Sequence, residues 1–533
     1  MDRRAFLKSA AGAGALATVG SLSTPAISQS VAARTLRFVP QADLANFDPV
    51  WTTTFVVRNA SAMVWDTLYG IDDQLKPRRQ MVEAEEVSPD ELVWTFRLRA
   101  GLKFHDGEPV LARDVVASLN RWAARDSLGQ MIKAIEHELV AVDDRTFRWV
   151  LKKPFRKMLL ALGKTTPLGC FIMPARIAAT DPFRQISEHV GSGPMRFVEN
   201  EWVPGARAVF EKFAGYLPRD EQNSWLAGGK RMLVDRIEWT VIPDPSTASA
   251  ALQSGEVDWW ELPTPDLVPL LKKSRNVTVD IRDPLGHVGS FRINHLHPPF
   301  NDVRARRAVL MALNQEDYMR VILGNDDRMW KPMRGFITPG TPLYNEEGAE
   351  ILKGPRDLDG ARRLLAQSGY AGQPVTCLVA QDLPQVKAWG DVSADLMKGL
   401  GINVDFVATD WGTVVARRAQ KSPPGQGGWQ MFHGWHDGVD LATPMSQSIR
   451  ANGEKAWFGW PNSPPVEAAI AMWFESKTPE EEKAAARALN KAALADVVYA
   501  PLGFYLAYQA WRKNVSGIAQ GPLPFFWGVS KTA

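Results

Sequence analysis

The stretch from residue 374 to 408 constrains this chain most. "PVTCLVA" (374–380) and "INVDFVA" (402–408) are strand-like, and between them "VKAWGDVSADLMKGL" (386–400) has the length and apolar spacing of a helix. A crossover of that size cannot be a hairpin, so the two strands must run parallel through a right-handed connection. At least one body of the protein is therefore built on a partly parallel sheet.

Strand and helix signals alternate through the rest of the chain. "TLRFVP" (35–40) reads as an opening strand. In "NASAMVWDTLYG" (59–70) Asn59 is the expected N-cap of a helix that buries Ala60, Met63, Val64 and Leu68 and stops at Gly70. Trp94, Phe96 and Leu98 share one side of a strand, as do Phe147, Trp149 and Leu151, while Val115, Val116, Leu119 and Trp122 fit a helix face. A strand through Ile237, Trp239 and Val241 leads into a helix through Ala248, Ala251 and Leu252 that ends at Gly255. Asn301 or Asp302 caps a helical run with Val309, Ala312 and Leu313 buried, and Gly324 terminates it. "DLDGARRLLAQSGY" (357–370) is a compact helix, and Thr478-Pro479-Glu480-Glu481 is a capping box. The tail "PLGFYLAYQAWRKNVSGI" returns to strand. Such mixing indicates α/β architecture.

At 533 residues, 45% of them hydrophobic, the chain can bury more than one core. Its 62 basic and 59 acidic residues are interspersed, which excludes a nucleic-acid track. The first 28 residues have charges first (Arg3, Arg4, Lys8), then an Ala- and Gly-rich apolar stretch, then small residues at Ala26-Ile27-Ser28: an export signal peptide in which "RRAFLK" is similar to the twin-arginine motif, with Asp2 departing from it and the Sec route as the alternative. Gly12-x-Gly14-x-x-Ala17 lies inside that apolar stretch with no strand before it and is not a dinucleotide loop. Beyond residue 30 no apolar run approaches the ~18 residues of a membrane span. Cys170 and Cys377 read as two buried free thiols, and neither is placed to carry a lipid near the cleavage site.

Five segments in order, "WTFRLRAGLKFHDGEPVLARDVVASLNR" (94–121), "GSGPMRFVENEWVPG" (191–205), "ALQSGEVDWW" (251–260), "PFNDVRARRAVLMALN" (299–314) and "ARRLLAQSGY" (361–370), resemble the solute-binding proteins of ABC transporters, family 5, the dipeptide- and oligopeptide-binding group. The resemblance implies an α/β fold of two lobes with mixed sheets and two hinge crossings near residues 285 and 500. Lobe I is then 29–285, including an extra subdomain, lobe II is 286–500, and 501–533 returns to lobe I. It further implies a monomeric periplasmic protein that needs no cofactor. Such a protein closes on a peptide or other small-molecule ligand and presents it to the ABC permease subunits in the inner membrane.

"FHGWHDGVD" (432–440) is the most chemically loaded run. A metal site would use His433 and His436 with Asp437 and Asp440, and the family includes nickel-binding relatives; but the run looks like a strand end, where residues three apart point to opposite sides. A periplasmic hydrolase is the remaining alternative, and the chain has no Gly-x-Ser-x-Gly, His-Glu-x-x-His or Walker motif. The resemblance favours a ligand clamp. In peptide-binding relatives a Gly-Trp pair is followed three residues after Trp by an Asp that holds the ligand's α-ammonium. Gly434-Trp435 resembles that pair, but Gly438 stands at the Asp position. Asp437 or Asp440 takes the role after a local shift, with Asp437 the nearer match; otherwise the ligand lacks an α-ammonium, or both are turn-forming residues. Trp435, Trp411, Trp259, Trp260 and Trp51, among 20 tryptophans, fall in segments the resemblance puts near the cleft. Arg450 is the candidate partner for a ligand carboxylate. His105, in "KFHDGEP", reads as structural turn chemistry remote from the ligand.

Overall fold

The computed structural model describes residues 34–532; the leader expected over 1–28 lies outside them. Two large sheets organise the molecule. The first has seven strands, with Thr35–Val39 at its centre, parallel to Arg236–Thr240 on one side and to Trp259–Trp260 on the other. Arg207–Lys212, Met195–Phe197, Tyr508–Arg512 and Val277–Ile281 extend it with antiparallel neighbours. Phe38 packs edge-on against Trp259 and Phe526, which closes the core of this sheet with side chains from the far end of the sequence.

The second sheet has six strands and contains the βαβ unit. Val375–Ala380 and Val404–Thr409 run parallel across the helix Pro384–Gly399, and Val375–Ala380 is also parallel to Met431–Asp437. His287–Ile293 and Ala500–Tyr505 complete its centre, both antiparallel to their neighbours. The chain therefore changes sheet twice, between Ile281 and His287 and between Tyr505 and Tyr508. Residues 500–505 still pair within the second sheet, so the passage back falls after Tyr505. A separate four-stranded antiparallel sheet holds Val93–Leu98 and Thr146–Leu151, with Phe96, Trp149 and Leu151 buried.

Most local signals form as the sequence indicates. Asp302 caps the helix Val303–Ala312, the Thr478 capping box opens Pro479–Asp496, and Gly255 stops Pro245–Ser254 in the left-handed region at φ 89°. Two local readings change. The helical run ending at Gly324 is two helices, because Leu313 is extended and Asn314 caps a new one, Gln315–Leu323. The helix expected to start at Asn59 instead spans Phe55–Val64, so Asn59 is interior. It ends before Leu68 because Trp65 and Asp66 are drawn into tertiary bonds, to the Val190 carbonyl at 3.1 Å and to Lys230 at 2.9 Å. That shift of register turns Arg58 inward, where it is 5% exposed.

His105 bridges backbone as turn chemistry: its ring accepts from Gly191 N at 3.2 Å and meets Gly193 O at 3.0 Å. Both cysteines are buried and free. No helix among the described residues is long and apolar enough to cross a membrane.

Candidate functional site

The run 432–440 lies at the centre of the second sheet. Met431–Asp437 is a strand paired antiparallel with His287–Ile293, so alternate side chains leave by opposite faces and Asp437 stands directly opposite His287. His433 points into the core, stacked on Phe291 at 4.9 Å and hydrogen-bonded to Ser393 at 2.7 Å. His436 points the other way, toward Trp457 and Tyr499. Burial pushes both imidazoles down to about 3, so both are neutral. Among the described residues no group of three or more His, Cys, Asp or Glu could hold a metal ion.

After Asp437 the chain turns sharply at Gly438. A Cβ there would lie 1.8 Å from the Leu285 carbonyl oxygen, and Gly438 N donates to Gly286 O at 2.7 Å. The close approach of the segment between the two sheets is what excludes any side chain at 438, and with it an Asp in that place.

Asp437 is fully engaged. Arg58 Nη1 lies 2.7 Å from its Oδ2, a contact ion pair without hydrogen-bond alignment, and His287 Nδ1 lies 3.1 Å from its Oδ1. Burial alone would raise this carboxyl; Arg58, then His287, hold it below the ordinary range. Against its own burial, His287 is raised by its bond to Asp437. Around them are two further acids, Asp283 buried and Glu261 half-buried. Burial lifts Glu261 to about 7 and Asp283 to about 6, and Asn59 donates to Glu261 at 3.0 Å.

Next to this cluster, and sharing Gln41 and Trp435 with it, is a narrow cavity with about 70 Å³ open to the centre of a water molecule. The first sheet's body contributes Thr53, Thr54, Phe55 and Val56. The second contributes Trp411, Arg418, Trp435, His436, Asp440 and Trp457. Phe55 faces Trp435 across the gap at 6.2 Å between ring centroids. Five side-chain atoms of these lining residues are buried without a hydrogen-bond partner: Thr54 Oγ1, Arg418 Nε, His436 Nε2, Asp440 Oδ1 and Trp457 Nε1. A buried polar atom left unpaired costs about 1–3 kcal/mol, so such a concentration on one surface marks a place built to be completed by something else.

Arg418 is the dominant charge of this surface. It ends the helix Trp411–Arg417, is 4% exposed, and has no carboxylate partner among the described residues. Aromatic faces hold it instead, Phe458 at 4.6 Å and Trp411 and Trp457 each at 5.4 Å, while Nη2 reaches the Thr53 hydroxyl at 3.2 Å. Burial pushes it down to about 9, which leaves it cationic at neutral pH. Asp440, in the short 3₁₀ turn Gly438–Leu441, is lifted to about 8 by burial and then by the charge of Asp437, so at neutral pH it is a neutral acid able to donate.

Of the residues singled out from sequence, Trp411, Trp435 and Asp440 meet on this cavity, and Asp437 lies behind it against Arg58. Trp51 and Trp260 line an adjoining hollow that also includes Trp411. Trp259 is core, completely buried with its indole N–H on Gln509. Arg450 lies outside the cavity lining, with Nη2 2.5 Å and Nε 3.0 Å from Glu467, because the loop carrying it folds back on the helix Pro464–Glu475. Sequence reading missed Arg418, Arg58 and Trp457. For Arg418 the only signal is the doublet Arg417-Arg418 at a helix end. Arg417 turns out to bond the Gly427 carbonyl while its neighbour turns in.

The family model for bacterial extracellular solute-binding proteins, family 5 (middle region), matches residues 76–455. The chain is 35% identical over its whole length, and over 99% of the relative, to a protein of Sinorhizobium fredii described as a probable peptide ABC transporter periplasmic-binding protein. It is 27% identical to the glutathione-binding protein of Pectobacterium atrosepticum, over 73% of this chain and 72% of that one. Among solved structures, the binding protein AgaA of A. tumefaciens R10, in complex with agropinic acid, superposes with a TM-score of 0.79 at 21% identity, covering 94% of this chain and 99% of that one. A Pseudoalteromonas dipeptide-binding protein in complex with Met-Leu gives 0.75 at 17%, covering 93% and 100%. Both share the fold, a two-lobed binding protein of mixed sheets. The chain belongs to family 5 of the bacterial extracellular solute-binding proteins.

Proposed function

We propose that the protein captures a small organic solute, peptide-like or opine-like, in the cavity between Trp435, Trp411 and Arg418 and delivers it to an ABC permease. The observation that carries this reading is the set of five unpartnered buried polar atoms on one aromatic-walled cavity whose lining comes from both sheets. The two passages between the sheets, residues 282–286 and 506–507, serve as the hinge. Lobe I is the body of the first sheet, lobe II that of the second, and ligand contacts to both stabilise the closed form that a permease recognises. A solute held this way needs no bond made or broken, which agrees with relatives named for binding and transport. The working form is a monomer in the periplasm, exported by the twin-arginine-like leader. Trp51 and Trp260 line the approach, and Asp440 donates to a ligand acceptor.

The test is mass spectrometry of the solute released by denaturing protein purified from its host, followed by calorimetric titration of that solute into refolded protein. Stoichiometric binding is expected. A refolded protein that binds neither its released material nor any peptide or opine would contradict the reading.

A further inference from the structure

Resting on that reading, we propose that the cavity selects a small organic acid: Arg418 receives the ligand's carboxylate, and Arg58 has taken Asp437 out of service, so that no free α-ammonium is recognised there. Two sets of observations converge on this. The first concerns the cation. A guanidinium 4% exposed, lining a cavity and lacking a carboxylate among the described residues, carries an uncompensated charge out of water. Its aromatic neighbours hold it through ring faces, Nη2 reaches the Thr53 hydroxyl, and Nε is left without a partner on the cavity edge. A carboxylate fits that edge through two parallel N–H···O bonds. Arg292, with its charge over the same Trp457 ring at 4.7 Å, also lacks a carboxylate among the described residues and adds to the positive field felt by Arg418.

The second concerns the anion. Asp437, the carboxylate nearest to the position of the family's ammonium clamp, is separated from the cavity. It contributes no lining there and faces Arg58 and His287 instead. Arg58 is itself fixed by Asn59 Oδ1 at 2.9 Å and the Pro522 carbonyl at 3.3 Å, so it is a built-in cation where a ligand's ammonium would go. Gly438 cannot be replaced by an acid because of the Leu285 carbonyl. The remaining acid on the lining, Asp440, sits beside Asp437 and is disfavoured as a second anion. The surface facing the ligand is thus cationic overall.

Matched compounds test this: Met-Leu, N-acetyl-Met-Leu, gluconate and the corresponding amides, titrated into wild-type protein, Arg418→Gln and Arg58→Met. In the wild type each acid should bind more than about tenfold (~1.4 kcal/mol) tighter than its amide, and N-acetylation should not weaken binding. Arg418→Gln should abolish the acid preference. If that variant does not fold, Arg418→Lys, which keeps the charge but not the fork, should reduce it. Arg58→Met should make Met-Leu bind better than N-acetyl-Met-Leu. Equal binding of acids and amides overturns the role of Arg418 while leaving solute capture intact. A wild-type preference for the free amine overturns the role of Arg58. No binding by any of these compounds to folded wild type overturns this inference, whereas the small-solute reading falls only if the released solute also fails to rebind.

Discussion

Arg58, in the helix Phe55–Val64, and Asp437, at the end of the strand Met431–Asp437, meet at 2.7 Å with both side chains 4% exposed. The pair ties the helix Phe55–Val64 to a central strand of the second sheet. Removing one partner leaves a buried charge. Arg58→Met is therefore expected to cost about 3–5 kcal/mol, whereas the double change Arg58→Met with Asp437→Asn should cost much less than the sum of the two singles. Urea unfolding of the four proteins checks it, and additive effects would show that the ion pair carries no coupling.

Gly438 and Gly434 form a matched pair of probes. A Cβ at 438 meets the Leu285 carbonyl oxygen at 1.8 Å, while at 434 the nearest atom is the Trp411 ring at 4.0 Å. Gly438→Ala should be severely destabilising, and Gly434→Ala should fold normally but project a methyl into the cavity and weaken solute binding. Thermal melts and titrations on both variants separate the two effects; a Gly438→Ala protein as stable as wild type is incompatible with the close approach described.

The pH dependence of stability follows from Asp440. Its folded pKa of about 8 lies above the ordinary 3.8, so folding takes up a proton between those values. Stability contributed by the neutral acid is fully present below 3.8, declines as pH rises toward about 8, and is level above it. Glu261 acts with the same sign between 4.5 and about 7. Asp437 has the opposite sign, with its loss confined to pH below 3.8. Measured against Asp440→Asn, the wild-type melting temperature should fall from pH 5 to pH 8, roughly the span between those values, a comparison that cancels the opposite contribution of His433 and His436, whose folded values of about 3 lie below the ordinary 6.5. An unchanged slope in that variant would falsify the assignment.

Arg450 is a control. Because it is held by Glu467 outside the cavity, Arg450→Gln should lower stability and leave solute affinity within about a factor of two, whereas loss of affinity would return it to the site.

How far the sequence could lead is clear from particular residues. The parallel strands 375–380 and 404–409 were legible because a crossover helix allows no other pairing, and the run 432–440 because its chemistry is concentrated. Arg58 was not. Its position depends on where a helix begins, and Thr54 enters that helix without a side-chain cap to announce it. Arg418 and Arg450 look alike in sequence; which one finds a carboxylate inside the protein is decided by Glu467, a long-range partner of one and not of the other. The engagement of Asp437 rests on a residue 379 positions away, a separation no local pattern encodes.

The most direct test of the account is a crystal structure of the protein with its co-purified solute. It should show the solute enclosed between Trp435, Trp411 and Trp457, within hydrogen-bond reach of Arg418, with the Arg58–Asp437 pair intact. A solute bound outside this cavity, or one whose amine displaces Arg58 from Asp437, would contradict it.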